Sequence, residues 1–278
     1  MTLTDRIHQD LAELFENREV SAAKSLLELI DVSTRGLPQH FVGDQESKTI
    51  LVMLNPGQDE KEADRCFRCM TEDYDHSSAR KFINCYIKEK TDFGEIHKDE
   101  EDHFDIKQAA FLKVWKGSGI NLPAGFPNDK KTFLAAKRNV LMQKLQLELI
   151  PYCSRDFKFK KRDLTELFPF IETVLEEIFK KKRNIVVFCA GLFERVFKAY
   201  NKHVGANVFS IGDAAKSEPL KDGGKLRGRC APVEICFRGK NQQALIAYTF
   251  ASQALSRAYR LMERYGEFCF SNYGIAIN

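Results

Sequence analysis

The chain has no segment able to span a bilayer, no export signal and no disulfide framework. Its longest wholly apolar run, Ile185 to Phe193 including Gly191, is far too short to cross a membrane as a helix. The opening Met1-Thr2-Leu3-Thr4-Asp5-Arg6 contains no signal-peptide core, so a cytoplasmic location is expected. Eight cysteines are present, but Cys189 and Cys236 fall inside apolar, strand-like runs, and thiols are the expectation. Cys66-x-x-Cys69, with His76 and Cys85 beyond, has the start of a metal-binding spacing. The pair lies in a Glu/Lys/Arg-rich segment of helical character, however, where residues i and i+3 simply share a face. No metal and no cofactor are expected. Internal repeats and recognisable linkers are also missing, which favours one domain over residues 1–278. Nor does any of the six histidines fall at an expected strand end, which removes the base that a serine or cysteine nucleophile such as Ser154 would need.

What is present is the material of a globular α/β domain. At 278 residues and 44% hydrophobic, the chain buries a sizeable core. The net charge of +4 is too small to identify a polyanionic partner, so its distribution carries more information. Arg155 to Arg162 holds five cations around Phe157 and Phe159, Lys180-Lys181-Lys182-Arg183 precedes a strand, and Asp99-Glu100-Glu101-Asp102 offsets them. Such runs are most often solvated surfaces.

The organising stretch is Lys48 to Gln58. Ile50-Leu51-Val52-Met53-Leu54 reads as a strand buried on both faces, and Asn55-Pro56-Gly57 ends it abruptly, because proline cannot continue a central ladder and glycine permits reversal. Taken alone this is also an ordinary strand-to-turn junction. Leu145 to Tyr152 gives a second strand, in which Gln146 and Glu148 alternate with leucines. A carboxylate beneath a covering helix is costly unless paired, so Glu148 is expected to face a pocket or an open margin of the sheet. Asn184 to Gly191 is a third strand and Pro232 to Phe237 a fourth. Helices are expected at residues 1–40, within an insertion at about 59–110, and at Lys131–Lys144, Leu164–Lys180, Leu192–Tyr200 and Gln243–Arg264; residues 212–229 read as a loop. Four apolar strands separated by helices indicate a three-layer α/β/α fold around a central four-stranded parallel sheet. Ligands bind at the carboxyl edge of such sheets. That edge would gather Asn55, Glu148 or Tyr152, Gly191, and Arg238 with Lys240.

With these residues in place, the sequence resembles the uracil-DNA glycosylase superfamily. Leu54-Asn55-Pro56-Gly57 looks like the Asn-Pro-Gly motif of its mismatch-specific and single-strand-selective branches. Leu147 to Ser154 and Ile185 to Phe193 are similar to the second and third strand segments that follow in the superfamily, in the same order. The resemblance implies hydrolysis of a nucleobase N-glycosidic bond, as in DNA repair, with DNA as partner and a flipped base as ligand. Asn55 would be catalytic, holding the attacking water. Leu54, Pro56, Gly57, Gln58, Tyr152 and Ser154 would line the base site, with Tyr74 or Phe82 stacking from the insertion. A carboxylate accepts hydrogen bonds, so Glu148 suits a base bearing an amino group better than uracil. Where the superfamily carries a His-Pro-Ser-type string after the fourth strand, this chain has Phe237-Arg238-Gly239-Lys240-Asn241. Arg238, Lys240 and Asn241 would there stabilise the leaving anion or touch phosphate. The same departure leaves open a non-catalytic protein that binds nucleic acid or a nucleotide on this fold.

Overall fold

A computed structural model describes residues 1–55, 57, 74–96, 103–115, 118, 120, 130–154, 158–221, 224–252, 255 and 259–273. Pro56, Gln58, Cys66, Cys69, Arg155 and Phe157 lie outside the described residues. The helices are α1 (Leu3–Asn17), α2 (Ser21–Ser25), α3 (Ala79–Thr91), α4 (Phe93–Ile96), α5 (His103–Leu112), α6 (Lys130–Gln143), α7 (Phe168–Phe179), α8 (Leu192–Val204) and α9 (Tyr259–Ser271). The strands are β1 (Phe41–Gly43), β2 (Thr49–Met53), β3 (Leu145–Glu148), β4 (Ile185–Phe188), β5 (Phe209–Ile211), β6 (Ala215–Pro219), β7 (Arg227–Phe237) and β8 (Lys240–Ala247).

The architecture is mixed α/β. The strand order is β1-β3-β2-β4-β8-β7-β5, with β6 paired to β7. Strands β2, β4 and β8 run parallel, whereas β5, β6 and β8 are antiparallel to β7. The expected sheet of four parallel strands is therefore corrected to eight strands, with an antiparallel part built from residues 209–247. Pro232 to Phe237 belongs to the long strand β7, and the chain returns as β8 where a helix from Gln243 was expected. Ala244, Leu245, Ile246 and Ala247 are all buried between β7 and β4, and pairing on both sides outweighs an apolar spacing that suits either element. Part of the expected loop at 212–229 is strand β6.

The chain divides into two compact units. One comprises Met1–Val42, Met53–Lys90 and Leu147–Lys181; the other comprises Gly43–Val52, Thr91–Gln146 and Lys182–Asn278. In the first unit, α1 starts from a capping box: Thr2 Oγ1 accepts from the Asp5 amide at 3.1 Å and Asp5 Oδ2 accepts from the Thr2 amide at 3.0 Å. Leu3, Ile7, Leu11 and Leu14 form its buried stripe. Helix α7 takes Pro169 in its first turn, where a missing N–H costs nothing. In the second unit every residue of β4 is buried, and α8 follows it directly and ends at Gly205 with φ 65°. Among the described residues no helix is long and apolar enough to cross a membrane.

Candidate functional site

Asn55 follows β2 by two residues and is half-buried. Its Nδ2 donates to Ser154 Oγ at 3.0 Å, so the residues just past β2 and β3 are tied by their side chains. The backbones converge as well: the Leu149 amide donates to the Met53 carbonyl and the Ile150 amide to the Leu54 carbonyl, each at 2.9 Å. This lacing holds Leu54 and Asn55 in fixed orientation. Gly57 is exposed, and a Cβ added there would meet nothing within 4 Å. Asn55 and the buried Ser154 thus stand together at the ends of their segments, and the exposed Gly57 follows Asn55 by two residues.

Tyr152 points elsewhere. Its hydroxyl donates to Asp10 Oδ2 at 2.6 Å and its ring meets Phe170 edge-on, at a centroid distance of 5.9 Å. Burial, followed by the neighbouring Asp10, pushes its pKa up, so it stays a phenol. Glu148 does face a pocket. It lines a small cavity with Arg6, His40, Pro151 and Phe170, and the buried Arg6 guanidinium lies 4.6 Å over the Phe170 ring. The cavity has room for about one water molecule and none for a nucleobase. Glu148 is therefore not placed to read a base in this conformation.

Beside that cavity, burial disfavours the charged forms of Asp10 and His40. Asp10 is raised to about 7, chiefly by desolvation, against the Tyr152 hydrogen bond and the Arg6 charge, which lower it. Desolvation, then Arg6 and Lys90, depresses His40 to about 3. His40 Nε2 stands 3.4 Å from Asp10 Oδ2, but with these shifts the contact at pH 5 is between two neutral groups. Arg6 Nε, Asp10 Oδ1 and His40 Nε2 are buried without hydrogen-bond partners among the described residues. A water bridging them would relieve that cost.

No protein-family model, curated protein or solved structure matches the chain.

The two aromatic candidates of the insertion are already engaged. Phe82 is fully buried, with Phe15 and Tyr74 each at 5.6 Å between ring centroids, and the Tyr74 hydroxyl donates to Glu89 Oε2 at 3.3 Å. Phe82 is a core residue and not a stacking platform. Two cations of the basic stretch are likewise engaged, Lys160 with Asp31 and Lys161 with Glu166.

Arg238, Lys240 and Asn241 require a correction. Arg238 and Gly239, with φ 50° and 74°, form the two-residue turn between β7 and β8, and the Arg238 guanidinium lies 5.0 Å over the Phe237 ring. Because β8 runs parallel to β4 and begins at Lys240, this turn marks the amino edge of the parallel strands, opposite Gly191. Gln242 Nε2 accordingly donates to the Arg183 carbonyl, just ahead of β4, at 3.2 Å. The expected gathering at the carboxyl edge does not include them.

The carboxyl edge of the second unit holds Gly191, as expected from the sequence, together with residues that the sequence did not single out. Gly191 is there for close approach: a Cβ would come within 2.7 Å of the Tyr248 ring. The Tyr248 hydroxyl donates to Glu194 Oε2 at 2.7 Å, and Arg229 stacks 4.1 Å from its ring. The helix start that follows β4 is therefore covered by Tyr248 and Glu194. Lys107 of α5 lies buried against Phe250, beyond β8, and carries no local signal that could have found it. Among the described residues no group of His, Cys, Asp and Glu has the makings of a metal site.

Proposed function

We propose that the protein hydrolyses a nucleobase N-glycosidic bond, on a uracil-DNA-glycosylase-like α/β scaffold, in DNA repair. The observation that carries this reading is the Asn55–Ser154 contact, two residues before the exposed Gly57. It joins the ends of the two strand segments that bear the resemblance. Donation through Nδ2 to Ser154 orients the amide that would hold the attacking water. An amide orients water but is a poor general base, so the rate would depend on stabilising an oxocarbenium-like transition state and the departing base anion.

The test is base release from labelled single- and double-stranded oligonucleotides carrying uracil, hypoxanthine or a mismatch. Release is expected from the native protein, and Asn55→Ala should reduce it by about 10²-fold or more while leaving oligonucleotide binding in place. Full activity in Asn55→Ala would remove Asn55 from the mechanism; no release from any substrate would remove the hydrolase reading.

One feature favours the second reading, a non-catalytic protein that binds nucleic acid or a nucleotide. Lys216 and Arg229 are exposed and directly opposite one another across β6 and β7, with Arg227 two residues along the same face. Like charges facing across a ladder are unfavourable unless an anion or a carboxylate joins them, and Glu194, at 3.9 Å from Arg229, only partly does so. Binding that weakens steeply with salt, without base release, would select this reading.

A further inference from the structure

Lys90, Lys107, Lys137 and Lys144 are buried, and comparison with Lys144 and Lys90 sets Lys107 apart. Lys144 is fully buried and is gripped by Gln108 Oε1 at 2.6 Å and Gln146 Oε1 at 2.7 Å. Lys90 sits 3.1 Å from the Glu89 carboxylate. Lys107 is only 4% exposed, yet its amine has one long hydrogen bond, 3.4 Å to the Ser252 carbonyl, and no carboxylate partner among the described residues. A desolvated ammonium ion held this loosely is costly, and such arrangements recur where a neutral amine is needed.

Its surroundings fit that use. Phe250 and Ser252 follow β8, and Cys189 follows β4, so the amine lies at the carboxyl ends of two adjacent parallel strands, where α/β sheets take their ligands. The amine is 5.1 Å from the centre of the Phe250 ring, which Phe111 and the partly exposed Phe104 meet edge-on at 5.1 and 6.5 Å. Among the described residues its partners are a backbone carbonyl and an aromatic face, with the Cys189 thiol near enough to act on it electrostatically. Burial lowers the amine to about 8, with the Cys189 sulfur acting weakly the other way, so a useful fraction is neutral near physiological pH.

We propose that Lys107 is a nucleophile that captures aldehydes as an imine. The Nζ lone pair bonds to the carbonyl carbon while the carbonyl oxygen takes up a proton. A second proton lets that oxygen leave as water, and the two protons that Nζ gives up balance the two the oxygen has gained, leaving the C=N bond. The aldehyde is either a free small molecule or, on the glycosylase reading, the ring-opened sugar left once a base has departed.

The experiment traps the imine with cyanoborohydride, whose hydride reduces it to a stable secondary amine, and maps the adduct by peptide mass. One arm uses glyceraldehyde; the other uses an oligonucleotide with a preformed abasic site, which requires no base release by this protein. Lys107 should be labelled faster than exposed Lys202, with a rate rising about tenfold per pH unit below about 8. Lys107→Met should lose that adduct and leave labelling elsewhere unchanged. Labelling with the oligonucleotide would assign the sugar as the source, and labelling with glyceraldehyde alone would assign a free aldehyde. No adduct at Lys107 in either arm, or labelling no faster than at Lys202, would overturn the proposal. Base release is measured separately, so its failure would leave this result standing.

Discussion

The Asp10–His40–Tyr152 cluster of the first unit and Lys107 of the second are two solutions to the same problem, a titratable group taken out of water. In the cluster, a carboxyl that has gained protons faces an imidazole that has lost them, and the phenol of Tyr152 satisfies one carboxyl oxygen. Lys107 has no such counterpart among the described residues and rests against a ring and one distant carbonyl. The difference teaches that burial alone does not define a functional site. What separates the two is that a neighbouring side chain donates to the Asp10 carboxyl at 2.6 Å, whereas the Lys107 amine meets only a ring face and a carbonyl at 3.4 Å.

The sharpest way to break that comparison is Asp10→Ala, which should destabilise the protein by about 3 kcal/mol, because the Tyr152 hydroxyl loses its acceptor in a dry site. A chemical-denaturation midpoint close to that of the native protein would mean that the cluster contributes little. The next contrast is between lysines. Lys144→Met should cost about 2 kcal/mol, since both glutamine oxygens lose their donor, whereas Lys107→Met should change stability by less than about 0.5 kcal/mol, a buried charge being replaced by an apolar chain of similar length. Equal losses of thermal stability in the two variants would erase the distinction.

The smallest effect, per unit of pH, separates the partners within the cluster. Asp10 binds its proton more tightly in the folded state, so its contribution is greatest below about 4 and is lost as pH rises towards about 7. His40 binds its proton less tightly when folded, so its contribution is present above about 6.5 and is lost as pH falls towards about 3. Between pH 4 and 6.5 the two slopes oppose one another, and the pair should add little net pH dependence. In His40→Gln the Asp10 slope should emerge, with stability falling as pH rises by up to about 1.4 kcal/mol per unit. A variant whose pH profile matches the native one would contradict these assignments.

How much of this was legible in the sequence depends on whether the signal was local. Strands β2 and β4 belong to uninterrupted apolar runs and β3 alternates leucine with Gln146 and Glu148, each followed closely by Pro or Gly, and such patterns have few other uses. Glu148 could be assigned to a pocket because a carboxylate in a covered strand has nowhere inexpensive to go. Strand β8 was not legible: Gln242 to Tyr248 suits a helix or a strand equally, and its neighbours β4 and β7 decided. Arg6 and Asp10 are charged residues in an amphipathic helix and read as its wet face, yet both are buried beside His40, a residue more than twenty positions away. Arg238 was placed at the wrong edge because a turn between antiparallel strands looks, residue by residue, like the end of a parallel one. Lys107 gave no signal, since only the approach of Phe250 and Ser252 distinguishes it from a lysine on any exposed helix.

The tight turn at Arg238 and Gly239 also bears on the order in which the sheet can assemble. Strands β7 and β8 pair over eight positions, from Phe237 opposite Lys240 to Cys230 opposite Ala247, and closing that ribbon immobilises almost no intervening chain. Strand β2 meets β4 through residues well over a hundred positions apart in sequence, so it forfeits far more chain entropy before any contact repays it. The C-terminal ribbon is thus the piece able to form first, on the microsecond scale of hairpins, and β8 then offers its free edge as the template on which β4, and after it β2, are laid down.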